Sequence, residues 1–133
     1  MSNLQAVYYR SADGQEPVLD FIKALDGRGR AGLAHQLARL NGLTDSRPHL
    51  PFPYSSQVEG ELRELRCHAG SELYRVLYRR SGRLVVLLHI FRKSTGKIPL
   101  AEINIAQQRW EDFKARMDAS PRQPPRAAGH DAP

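Results

Sequence analysis

The amino-acid sequence predicts an α+β fold, a small antiparallel sheet preceded by a helical hairpin and followed by one helix, in the order β-α-α-β-β-β-α. Three observations carry this expectation. Three β-prone stretches follow one another through the middle of the chain with only short turns between them. Two apolar stripes at helical spacing come before them. One long stripe, Ile103, Ala106, Trp110, Phe113 and Met117, comes after them at alternating spacings of 3 and 4.

Taken in order, Val7, Tyr8 and Tyr9 make the run Gln5 to Arg10 a short strand, closed by Ser-Ala-Asp-Gly. Pro17 suits the first turn of a helix and Glu16 complements its dipole, with Val18, Phe21, Ile22 and Leu25 on one face. Asp26-Gly27 interrupts the pattern. Leu33, Leu37 and Leu40 then mark a second helix, with Gly42 placed as its C-terminal cap. The span from Ser46 to Ser56 holds Pro48, Pro51 and Pro53 and reads as an irregular crossing from helices to sheet. Leu62 and Leu65 open a second strand, Leu73 to Tyr78 a third and Arg83 to Phe91 a fourth, with Ser81-Gly82 as a tight hairpin turn. Pro99 opens the last helix, whose apolar stripe is a seam facing the core, so Trp110 reads as a packing residue. The organisation expected is one domain over residues 1–117 and a disordered, Pro-rich tail over 118–133.

A chain of 133 residues with 41% hydrophobic content is long enough for a real core. Mean hydropathy of −0.53 and the lack of an apolar run of about 20 residues argue against a membrane span. The first residues carry neither a basic region nor an apolar core of a secretion signal, and the single Cys67 cannot form an internal disulfide. The expected location is the cytoplasm. The His residues show no zinc-site spacing and no Gly-rich phosphate loop is present, so neither a metal nor a cofactor is expected.

Charge is unevenly distributed. Between Arg63 and Lys97 stand nine Lys or Arg residues against Glu64 and Glu72, a local balance of +7 in a chain of net charge +6. A sheet that concentrates the whole excess is a surface for a polyanion, with nucleic acid as first candidate. Strict alternation puts Tyr74, Val76 and Tyr78 on one face and Arg75, Leu77 and Arg79 on the other, and in the next strand sets His89, Phe91 and Lys93 opposite Leu88, Ile90 and Arg92. With Val76 toward the helices, Arg75 is expected on a solvent face. A cluster of guanidinium and ammonium groups there would hold a phosphate and stabilise the charge that develops on it during cleavage. Plainer readings stand beside this one. Arg79, Arg80 and Arg83 flank a turn as solvated charge, Arg63 can pair with Glu61 or Glu64, and His89 can be a hydrogen-bonded structural histidine.

Glu-Leu-Arg at 64–66, Tyr-Arg-Val-Leu-Tyr at 74–78 and His-x-Phe-x-Lys-x-x-x-Lys-x-Pro at 89–99, continued by Glu102-Ile103, Ala106, Arg109 and Phe113, occur in a fixed order. In these residues the chain resembles the phage-derived, HigB-like branch of the RelE/ParE toxin superfamily, over about residues 5 to 117. The resemblance implies a RelE-like fold and the toxin of a type II toxin–antitoxin module. It implies a metal-independent, ribosome-dependent mRNA endonuclease that inhibits translation and is restrained by a cognate antitoxin, with ribosome and mRNA as partners. Carried over by motif, Arg75 binds the scissile phosphate, Lys93 is a second charge stabiliser, Lys97 occupies a position where another catalytic group often stands, and Arg66 lines the same groove. Arg63, Arg92 and Arg79 are expected to contact RNA. Ile98-Pro99-Leu100 stand where RelE has a tyrosine, and Arg63 and Glu64 stand where it has paired lysines, which leaves His89 and Lys97 as candidates for the general base. Two other functions fit the same scaffold: a ParE-like inhibitor of DNA gyrase that acts by binding, and a non-catalytic RNA-binding protein.

Overall fold

The computed structural model describes residues 3–92, 96–118 and 128. The expected α+β architecture is present. In chain order it comprises β1 (Gln5–Tyr8), α1 (Pro17–Lys23), α2 (Gly27–Ala38) continued by a 3₁₀ turn (Arg39–Gly42), β2 (Ser55–Glu59), β3 (Leu62–Ala69), β4 (Glu72–Ser81), β5 (Leu84–Arg92) and α3 (Leu100–Asp118). Pro17 occupies the first turn of α1, where its missing N–H costs nothing. Asp26 caps α2 by accepting from the Gly29 amide at 2.7 Å. Gly82, at φ +58°, makes the tight turn from β4 to β5.

The strands form one sheet in the order β1-β5-β4-β3-β2. Two features differ from the expected sheet. First, it has five strands: β2 begins inside the span expected to be irregular and pairs antiparallel with β3, with a bulge between Gln57 and Glu59. Ser-Ser-Gln-Val-Glu carries one apolar residue, so it shows no alternation; as an edge strand it is held chiefly by its backbone ladder. Secondly, β1 joins β5 in parallel, after the whole hairpin and meander have intervened, while the remaining pairings are antiparallel. The far edge of β1 is covered: the Ala6 amide donates to Asn41 Oδ1 at 2.8 Å and the Ala6 carbonyl accepts from the Ala128 amide at 2.8 Å. Apart from Asp118, which ends α3, and Ala128, the expected tail lies outside the described residues.

The sheet carries an apolar core on each face. Against the hairpin face, Leu19, Ile22, Leu33 and Leu37 pack on Leu65, Val76, Val85 and Leu87. Against the α3 face, Ala106, Trp110 and Phe113 pack on Leu62, Leu77, Val86 and Leu88, so the predicted seam of α3 is the observed one. An extra residue in β5 separates the pairs Leu77↔His89 and Tyr78↔Leu87, which breaks the alternation assumed from sequence. Leu88 thereby joins the α3 face together with Phe91, while Ile90 packs against the hairpin. Tyr9 fixes the far end of α3 by donating to Asp112 Oδ2 at 2.6 Å, and Asp112 in turn pairs with Arg116 one turn on at 2.8 Å. Burial and that carboxylate push the Tyr9 phenol up to about 12. Among the described residues, no helix is long and apolar enough to cross a membrane.

Candidate functional site

Since α3 is a single helix, it covers only part of its face of the sheet. Beyond it lies an open groove of about 510 Å³, bordered by Ser56, Gln57 and Val58 of β2, Glu64 and Arg66 of β3, Arg75 of β4, the segment Gly96 to Ile98, and Ile103 of α3. Antiparallel register explains the meeting of its charged residues. Glu64 and Arg66 are two apart on β3 and share a face, and Arg66 stands directly opposite Arg75. Glu64 Oε2 accepts from Arg75 Nη1 at 2.9 Å, and Glu64 Oε1 accepts from Arg66 Nε at 2.6 Å. One carboxylate therefore clamps two guanidiniums.

The burial of Arg75 and Glu64 corrects the expectation for Arg75. The residue is 6% exposed and Glu64 only 2%; with Ser55 they are the buried polar or charged residues among those described. Arg75 does leave the hairpin face, as alternation requires, but the face it joins is the one flanked by α3 and the 96–98 segment. Burial lowers its pKa, Glu64 raises it and the neighbouring Arg66 lowers it. A guanidinium remains protonated throughout. Its Nε is buried and finds no acceptor among the described residues. Lys97 lies at the exposed rim of the same groove.

The other predicted residues divide. Arg79 shares the α3 face but lies over the Trp110 ring, 4.4 Å from its centroid, and reaches Glu61 at 3.4 Å. Arg63 and Arg92 project to the hairpin face, which separates them from Arg75. Arg63 donates to Ser55 Oγ at 3.3 Å instead of pairing with Glu61 or Glu64, and Arg92 pairs with Glu72 at 3.1 Å beside the Tyr74 ring. Arg80 and Arg83 share Asp45 near the β4–β5 turn, in keeping with surface charge. Lys93 lies outside the described residues.

His89 meets α3 with both ring nitrogens engaged. Nε2 lies 2.6 Å from Glu102 Oε1, while Nδ1 lies 3.2 Å from Arg109 Nη1. Arginine can only donate, so Nδ1 is the acceptor and Nε2 carries the proton to Glu102. Burial lowers the His89 pKa, the Glu102 bond opposes this, and Arg109 adds to it. Arg109 also donates to the Leu88 carbonyl at 2.9 Å, at the β5 bulge. Cys67 is wholly buried and burial pushes its thiol up to about 12, far from a reactive thiolate.

Glu64 is the residue of this site that sequence reasoning counted only as an acidic residue against the basic run and a possible partner of Arg63. The signal was available in the pairing of Glu64 and Arg66 at i, i+2, but becomes meaningful only once β3 is in register with β4.

The sequence model of the phage-derived Gp49-like proteins (DUF891) matches residues 20–111, from α1 through most of α3. The chain belongs to that family. The Gp49-like family is toxin-like, of the RelE/HigB type. Its match takes in the groove residues Glu64, Arg66, Arg75 and Lys97 as well as His89, Glu102 and Arg109. A search of the curated proteins found no match.

Proposed function

We propose that this Gp49-like protein is the toxin of a type II toxin–antitoxin module and cleaves mRNA on the ribosome. The supporting observation is the groove that gathers Arg66, Arg75 and Lys97 around one buried carboxylate, leaving an excess of two positive charges. In this reading the ribose 2′-oxygen attacks the adjacent phosphorus and the bond from phosphorus to the 5′-oxygen breaks. The products are a 2′,3′-cyclic phosphate and a 5′-hydroxyl. Arg75 holds the scissile phosphate and, with Arg66, offsets the charge that builds on its oxygens. Glu64 acts as a positioning residue, fixing the two forks before substrate arrives. Lys93 supplies a further positive charge, and an acidic segment of a cognate antitoxin complements the same groove. Proton transfer falls to Lys97 or His89; Lys97 is at the rim where substrate passes, whereas His89 is held at both nitrogens.

The test is to add the purified protein to translating ribosomes and map mRNA 5′ ends. Cuts in register with codons are expected from the wild type. Arg75→Lys keeps the charge but loses the forked donor set, and should lower the rate by about 10²–10³, the usual loss for one donor to a developing oxyanion. Gyrase inhibition without any cut would overturn the nuclease reading in favour of a binding toxin.

A further inference from the structure

Beside the groove the structure carries an aromatic surface that the phosphate chemistry does not use. Among the described residues three large apolar side chains are well exposed, and two of them, Phe52 at 73% and Tyr54 at 46%, lie two positions apart just before β2. Each is accompanied by an arginine. The Arg66 guanidinium carbon is 5.4 Å from the Phe52 centroid and that of Arg39 is 4.2 Å from the Tyr54 centroid. Arg66 is the same residue whose Nε is fixed to Glu64 inside the groove. The loop is held in place: the Arg66 amide donates to the Tyr54 carbonyl at 2.9 Å, and the Tyr54 amide donates to the Pro51 carbonyl at 2.9 Å. A ring left in solvent, backed by an arginine and set on a tied turn, has little conformational freedom to lose on stacking.

We infer that Phe52, backed by Arg66, is a stacking platform for an unpaired RNA base next to the phosphate held in the groove, with Tyr54 and Arg39 extending it around the sheet edge. Single-stranded RNA is the occupant because Arg66 belongs to both features. Its guanidinium brings a positive charge to the groove and lies over the Phe52 ring, and this alternation of cations and aromatic faces is what unpaired bases and their backbone require. The inference rests on the nuclease reading for the identity of the strand, but stacking is measurable without cleavage.

The experiment measures binding of a single-stranded 2′-O-methyl RNA of about ten nucleotides, which lacks the attacking hydroxyl, to wild type, Phe52→Leu and Phe52→Trp across a salt series. Phe52→Leu should weaken binding by about 5- to 100-fold, the loss expected for one base–aromatic stack, and Phe52→Trp should retain or tighten it. The slope of log K against log salt should be the same in all three, because no phosphate contact is removed. Arg66→Gln should instead flatten that slope by about 0.7. An unchanged affinity in Phe52→Leu, a wild type that does not bind the oligonucleotide, or a Phe52→Leu protein that binds RNA normally but releases a co-expressed acidic partner would each overturn the platform. Ribosome cutting is measured in parallel on the same proteins. Loss of stacking effects with cutting intact refutes the platform alone, whereas stacking effects without any cutting refute the nuclease reading alone.

Discussion

The two faces of the sheet carry similar arginines and use them differently. On the hairpin side Arg80 and Arg92 pair with Asp45 and Glu72 near solvent, and Arg63 reaches in from the margin of the apolar core to the buried Ser55 hydroxyl. On the α3 side Arg66 and Arg75 converge on the buried Glu64, and Arg79 lies on Trp110. Two helices and a 3₁₀ turn cover the apolar centre of the first face, and the clefts left at its margins, about 490 Å³ beside Tyr74 and Arg92 and about 420 Å³ beside Arg63, Tyr78 and Arg80, carry the charge. One helix leaves part of the second face uncovered, and the strand positions there point into a groove. Neither arginine content nor an open cleft marks the site; a buried carboxylate that gathers two guanidiniums does. The worth of each ion pair follows the same division, because water screens pairs at a rim and leaves a buried clamp to its own geometry.

Removing the clamp should give the largest effect. Glu64→Leu strands the Arg75 cation in a buried position and should lower unfolding free energy by about 3–5 kcal/mol in urea titration. Glu64→Leu combined with Arg75→Met should recover most of that loss while abolishing RNA cutting, since an apolar pair of similar bulk replaces both charges. If the double variant is no more stable than the single one, the clamp is not the reason for the loss.

Arg79→Met tests the same face away from the groove. It removes the cation over Trp110 but keeps an apolar stem on the ring, and a loss of about 1 kcal/mol is expected with cutting unchanged. A large fall in cutting would extend the groove to Arg79.

His89 gives a smaller effect that depends on pH. Burial holds its native pKa below the ordinary value of 6.5, so below that pH the unfolded chain binds the proton more readily than the native one. Stability from this residue is therefore complete above about pH 6.5 and declines as pH falls through the window between that value and the lowered native one. Chemical unfolding of wild type and His89→Gln from neutral to mildly acid pH should show a shallower decline in the variant. Equal slopes would mean that His89 does not titrate differently on folding.

The hairpin-side control should move least. Asp45 is exposed and its pKa is lowered by hydrogen bonds from Arg80 and then Arg83. Asp45→Asn should leave the urea midpoint within error, as exposed pairs are screened and cost side-chain freedom to form. A loss matching that of Glu64→Leu would erase the contrast between the faces.

Much of the fold was legible from local pattern. The 3- and 4-residue spacing of Ile103 to Met117 gives the seam of α3, Pro17 marks the start of α1, and Ser81-Gly82 marks the turn between β4 and β5, because each depends on a few neighbouring residues and simple periodicity. Arg66, Arg75 and Lys97 were identifiable as a set through the resemblance of their motifs to the HigB-like toxins, within a stretch whose positive charge is plain in the sequence. What only the tertiary structure decided is which of the basic residues meet. Strand β2 lacks a periodic signal and forms because β3 offers it a ladder; the bulge at Leu88 shifts the side-chain alternation of β5; and the burial of Arg75 depends on α3 and the 96–98 segment coming to lie beside it. Glu64 changes from one acidic residue among many basic ones to the centre of a clamp for one physical reason. Register across strands, set by the whole sheet, decides which side chains share a face, and no local window of sequence contains it.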